Sequence, residues 1–175
     1  MTAVAKTNAT NYPLGYYYVT TDHAKKIDDF KRTSGDMETV LITQYVRGWL
    51  GKNRNFCLDL AKTDADSRGM IFSDWAKSVY EEGFKKLPPL KKELNPPSSP
   101  LKSIHLTAKE ELVRRKINNL TLGVQNLVFF KLIENYYYRG KTIDFVSDIV
   151  AEHLDRLWDN LYASQVAAND FNNWI

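Results

Sequence analysis

Five of the chain's six prolines stand between positions 88 and 101, in the run PPLKKELNPPSSPL. A proline ring fixes φ, clashes with the preceding helical turn and removes a backbone N–H, so no helix can pass through this stretch. The chain must build its core from two blocks of regular structure joined by an extended, semi-rigid crossover. With only eight glycines in 175 residues, it lacks the turn-formers that a chain of many short strands needs. Both blocks are therefore expected to be helical.

In the first block, residues 21–33 read as a short polar helix capped by Thr21 or Asp22, with Ile27 and Phe30 inward and Gly35 as its stop. A longer helix should open at Ser34 or Asp36, both good N-caps. Its apolar positions Val40, Leu41, Tyr45, Val46, Trp49 and Leu50 recur every three or four residues, the spacing of one buried helical face. Gly51-Lys52-Asn53 marks a kink or break before the pattern resumes at Phe56, Cys57 and Leu60. Ser67 or Asp66 should cap a further helix carrying Ile71, Phe72, Trp75, Val79, Tyr80 and Phe84, stopped by Pro88-Pro89.

In the second block, Thr107-Ala108-Lys109-Glu110 has the form of a capping box, in which threonine and glutamate side chains reciprocally satisfy two orphan N–H groups. Val113, Ile117, Leu120, Val124, Leu127 and Ile133 follow at helical spacing, predicting one helix of about thirty residues that ends before Gly140. A last helix opens at Thr142, with Val146, Ile149, Val150, Leu154, Leu157 and Trp158 as its stripe. The short Gly140-Lys141 connection folds these two helices into an antiparallel hairpin. Ahead of everything, Tyr16-Tyr17-Tyr18-Val19 reads as an extended arm with at most a short strand, which must lie on something because three free tyrosines would expose a large apolar surface. The predicted fold is all-α: a bundle of roughly five or six helices with that arm, the proline crossover and the hairpin. The segments are 1–20 (arm), 21–87 (first helical half), 88–106 (linker) and 107–175 (hairpin and tail), packed as one domain.

The formal charge of +3 conceals an asymmetry. Residues 84–116 hold nine cations, Lys85, Lys86, Lys91, Lys92, Lys102, Lys109, Arg114, Arg115 and Lys116, against three acids. Paired lysines beside an extended segment make a phosphate-tracking surface. Arg47, Lys52 and Arg54 could extend it, with the tyrosines and Trp49 able to stack on bases. The last helix is acidic, with Asp148, Glu152, Asp155 and Asp159 expected on its outer face. A basic patch meeting that face on another copy would give head-to-tail self-association. Tyr16, Tyr17, Tyr18, Phe171 and Trp174 are the expected contacts with other subunits.

Catalytic signatures are missing. The sequence contains no P-loop, no dinucleotide glycine motif, no H-E-x-x-H and no nucleophile elbow. The three histidines, His23, His105 and His153, are scattered, and Glu152-His153 lacks the spacing of a di-iron site. One cysteine, Cys57, sits in the apolar run Phe56-Cys57-Leu58 and reads as a small core residue. Asp59, Asp64, Asp66 and Asp74 lack the ligand ladder of a calcium loop and read as turn and cap residues. No cofactor or metal is expected. The first residues lack an apolar leader core and no run of about 18 apolar residues occurs, which predicts no membrane insertion and a cytoplasmic setting, or the interior of a nucleoprotein particle or virion. The function expected is a non-catalytic structural subunit of a nucleoprotein assembly, such as the small helical subunit of a ribonucleoprotein complex or a filament-forming coat protein. It would hold the nucleic-acid backbone through the basic central segment without reading sequence. A helical protein–protein adaptor is the alternative, and an enzyme with a non-local site the third.

Overall fold

The computed structural model describes residues 10–102 and 111–157. Helix α1 (Thr21–Ser34) is capped one residue earlier than the sequence suggests: Thr20 Oγ1 accepts the His23 N–H at 3.1 Å. It stops at Gly35, whose φ of 75° lets the cap N–H reach the Lys31 carbonyl. Helix α2 (Glu38–Lys52) buries Leu41, Ile42, Tyr45, Val46, Trp49 and Leu50. Its break falls at Asn53, whose side-chain amide donates to the Trp49 carbonyl at 2.9 Å. Helix α3 (Arg54–Ser67) follows directly, and α4 (Phe72–Glu82) runs into a 3₁₀ turn, Gly83–Lys86. Ile71, not Ser67 or Asp66, stands at the α4 N-cap. Ser67 instead closes α3, buried, with its carbonyl accepting the Lys91 N–H at 2.6 Å.

The second half departs most from expectation. Residues Leu112–Lys116 form a strand, β3, and Leu120–Thr121 a second, β4; the helix α5 spans only Val124–Tyr137. Two antiparallel ribbons result: β1 (Asn11–Tyr12) pairs with β4, and β2 (Tyr16–Thr20) pairs with β3. The molecule is mostly helical, as expected, with these two small ribbons added to it. Two physical causes override the helical spacing. Gly123 takes φ of 82°, a left-handed backbone that ends any helix arriving from its N-terminal side. Within 113–117, Val113, Arg115 and Ile117 also alternate with Arg114 and Lys116, and that period of two finds a partner strand in Tyr16–Thr20. The Thr107–Glu110 capping box lies outside the described residues.

Residues 138–141 connect α5 to a helix α6 described over 142–157. Phe145 on α6 packs against Phe130 of α5 with ring centroids 4.8 Å apart, against Tyr138 at 4.9 Å and against Trp49 of α2 at 5.7 Å. The core joins Trp49, Trp75, Phe130, Phe145, Ile42 and Leu132 into one apolar interior. Asp64 is fully buried within it. Its carboxylate accepts from Arg68 Nε at 2.7 Å, from Trp75 Nε1 at 2.7 Å and from the Tyr136 hydroxyl, so it ties α3, α4 and α5 together. The acid expected to serve a turn is a polar hub of the core.

The proline segment is fastened rather than free. Arg68 Nη1 donates to the Pro88 carbonyl at 2.7 Å, and the Tyr137 hydroxyl donates to that of Pro97 at 2.6 Å. Leu87 and Leu101 are buried at either end of it. Among the described residues, no helix is long and apolar enough to cross a membrane.

Candidate nucleic-acid interface

Strand alternation decides what β2 and β3 present. Successive side chains of a strand point to opposite faces, and directly paired residues share a face. Tyr17 and Val19 turn inward and are buried, while Tyr16 and Tyr18 remain half-exposed. The register sets Tyr16 opposite Lys116 and Tyr18 opposite Arg114. The outer face of the ribbon therefore interleaves two tyrosines with two cations. The Tyr16 and Tyr18 rings meet edge to face at 5.5 Å, and the Arg114 guanidinium lies over the Tyr16 ring at 5.1 Å.

The inner face is held by a charge cluster on the first turn of α2. Glu38 accepts from Arg115 at 2.5 and 3.1 Å, from the Tyr17 hydroxyl at 2.8 Å and from Lys31 at 3.2 Å. Arg115 also bonds Asp28 at 2.6 Å. Burial opposes ionisation of Glu38, but the bonds from Arg115, Tyr17 and Lys31 outweigh it and hold the carboxyl below its ordinary pKa. The Tyr17 hydroxyl is pushed the other way, by burial first and by Glu38 second. Arg115 and Tyr17 are committed to fixing the ribbon on α1 and α2.

Clefts open on both sides of the ribbon. One, of about 580 Å³, brings Lys31, Arg32 and Lys116 together with Asp36, Glu38 and Asn118. The other, of about 510 Å³, lies between Tyr16 and Tyr18 and the α5–α6 connection, with Lys141, Thr142 and Asp144.

The remaining cations of the basic segment have a different support. Lys85 and Lys86 are exposed on the 3₁₀ turn, and Lys91, Lys92 and Lys102 on the proline strap, where the Lys91 backbone is bonded to Ser67. A segment continuous in sequence is thus divided between the α3–α4 corner and the ribbon. Arg47, Lys52 and Arg54 are exposed, whereas Trp49 is buried and out of reach of a base. Lys109, Phe171 and Trp174 lie outside the described residues. Lys31, Arg32 and Lys141 escaped the sequence reading because they are distant in sequence from the basic run. The signal that pointed to the tyrosine–cation face was the alternation in both strands.

Of the acids expected on the outer face of α6, Asp155 is exposed and Glu152 partly exposed, but Asp148 is turned inward. Asp148 is fully buried and accepts the Tyr138 hydroxyl at 2.7 Å. Asp155 bonds His23 Nε2 at 2.7 Å, and Glu152 lies 3.7 Å from Arg156. Asp159 is outside the described residues. Elsewhere the chemistry is quiet. Cys57 is buried, which pushes its thiol up to about 12. His153 stacks on Tyr45 at 3.9 Å. Among the described residues no cluster of three or more His, Cys, Asp or Glu could hold a metal ion. Compared with family models, with curated proteins and with solved structures, the chain matches none.

Proposed function

We propose that this chain is a non-catalytic structural subunit of a nucleoprotein assembly that holds a nucleic-acid backbone without reading its sequence. The observation that carries the reading is the cross-strand register of Tyr16 with Lys116 and Tyr18 with Arg114. Cations neutralise phosphates and aromatic faces accept any base, which together give sequence-tolerant binding. Lys85 and Lys86 on the 3₁₀ turn and Lys91, Lys92 and Lys102 on the proline strap add charge. Cys57 is buried and His153 is stacked against Tyr45, so neither is presented as a nucleophile or base. In this role the chain works in the cytoplasm or within a nucleoprotein particle, beside copies of itself or other protein subunits.

The test is to purify the protein without nuclease and record its 260/280 nm absorbance ratio with its mass by light scattering, at low and high salt. Nucleic acid that co-purifies and strips off in salt supports the reading. A clean monomer or dimer carrying none favours a protein adaptor. One observation speaks for that second reading: an apolar groove of about 420 Å³ between α3, α4 and α5, lined by Leu58, Phe72, Tyr80, Val124 and Val128. Val124 is 53% exposed there, and nearby in sequence Ile71 at the start of α4 is 71% exposed.

A further inference from the structure

The two clefts beside the ribbon differ in charge, and that difference orients a ligand. The cleft at Lys116 gathers Lys31, Arg32 and Lys116 against Asp36 and Glu38. Glu38 takes donors from Tyr17, Arg115 and Lys31, and Arg32 is paired with Asp29, so two of the three cations already answer protein carboxylates. A phosphate entering this cleft meets the exposed Lys116, with Lys31 and Arg32 beside it. The cleft on the other side has one cation, Lys141, and one carboxylate, Asp144, and offers a phosphate no such preference. On the outer face of the ribbon, where Tyr16 and Tyr18 wall this second cleft, the Tyr16 ring meets both Tyr18 and the Arg114 guanidinium.

From this arrangement we infer that the ligand is single-stranded, with its backbone in the Lys31–Lys116 cleft and its bases turned across the ribbon onto Tyr16, Tyr18 and Arg114. The inference rests on the nucleic-acid role proposed above and narrows it. Stacking needs the π-face of a base, and in a duplex those faces are covered by neighbouring base pairs. A face of two rings and one guanidinium has room for about two or three bases, as small sheet-based single-strand binders do. The half-exposed tyrosines of a paired ribbon are held at fixed spacing, so stacking costs little further ordering.

The experiment titrates the full chain with three fluorescent oligonucleotides of roughly a dozen nucleotides, near common site sizes. They are an unstructured single strand, the same strand annealed to its complement, and an abasic strand with the same number of phosphates. The single strand should bind about tenfold or more tighter than the abasic strand, and tighter than the duplex. Tyr16→Ala and Tyr18→Ala should each lose about tenfold on the single strand and little on the abasic one, while Tyr16→Phe and Tyr18→Phe retain affinity. If an alanine variant fails to fold, the abasic comparison on the unaltered protein still decides. Equal affinity for the abasic strand or the duplex would overturn the single-strand inference and leave the nucleic-acid role standing. No binding to any of the three at low salt would overturn both.

Discussion

Asp64 and His153 show how single side chains carry the fold's polar and proton-linked terms. Asp64 is buried beneath Arg68, Trp75 and Tyr136, and removing it strands three donors at once. Loss of one partner from a buried ionic group costs about 3–5 kcal/mol. Asp64→Ala should therefore lower the denaturant midpoint by more than Trp75→Phe, which loses one hydrogen bond to a charged group, worth about 1.5–3 kcal/mol, while Asp64 keeps its bonds from Arg68 and Tyr136. Equal effects from the two variants would remove Asp64 from its position as hub. His153 sets a pH dependence. Burial first, and Arg156 second, lower its pKa from 6.5 to about 4 in the folded protein. The unfolded chain then binds more protons between these values, so stability is present above about pH 6.5, falls as the pH drops through that window and levels off below about 4. A melting series should show that loss in the native protein and lose this component in His153→Phe, which keeps a ring against Tyr45.

Gly123 is where the readings of the second half diverge most sharply. Were the segment one continuous helix, Gly123→Ala would stabilise it by about 1 kcal/mol, the ordinary helix-propensity gain. With φ of 82°, the same change forces a side chain into left-handed backbone and should destabilise by about 1 kcal/mol or more, read from chemical denaturation. The contrast explains what was legible in the sequence. Helices α1 to α4 announced themselves because their apolar spacing, their glycine stop and the Asn53 break agreed with one another. Residues 112–121 did not, because Val113, Ile117 and Leu120 fit a helical stripe and a strand equally well locally. The choice was made by Tyr16–Thr20, about a hundred residues earlier, which supplies the pairing edge. Caps were misplaced for a related reason: Ser67 looks like an N-cap from composition, yet the strap that bonds its carbonyl comes from Lys91. The candidate site was legible as residue types, tyrosines and a basic run. Its geometry was not, since strand register turned Tyr17 and Arg115 inward and left Tyr16, Tyr18, Arg114 and Lys116 outside.

The molecule as a whole is a helical core with a small paired ribbon fixed to it by the Glu38 cluster, and the proposed role depends on that ribbon being rigid and charged. Glu38→Gln keeps the side chain's size but removes the charge that Arg115 and Lys31 neutralise. It should lower the melting temperature at neutral pH, and it should weaken oligonucleotide binding indirectly by loosening the ribbon. The most direct test separates charge from packing. A fluorescent single strand is titrated against the native protein and against the Arg114→Gln, Lys116→Gln double variant across a range of salt concentrations. Phosphate neutralisation makes the logarithm of the affinity fall linearly with the logarithm of salt, with a slope near −0.7 for each phosphate contacted on a single strand. The native chain should show a steep slope, reduced by about 0.7 in the double variant because Lys116 meets phosphate while Arg114 stacks on a base, with unchanged thermal stability. Identical slopes in the two proteins, or no binding by the native chain at low salt, would contradict the proposed role.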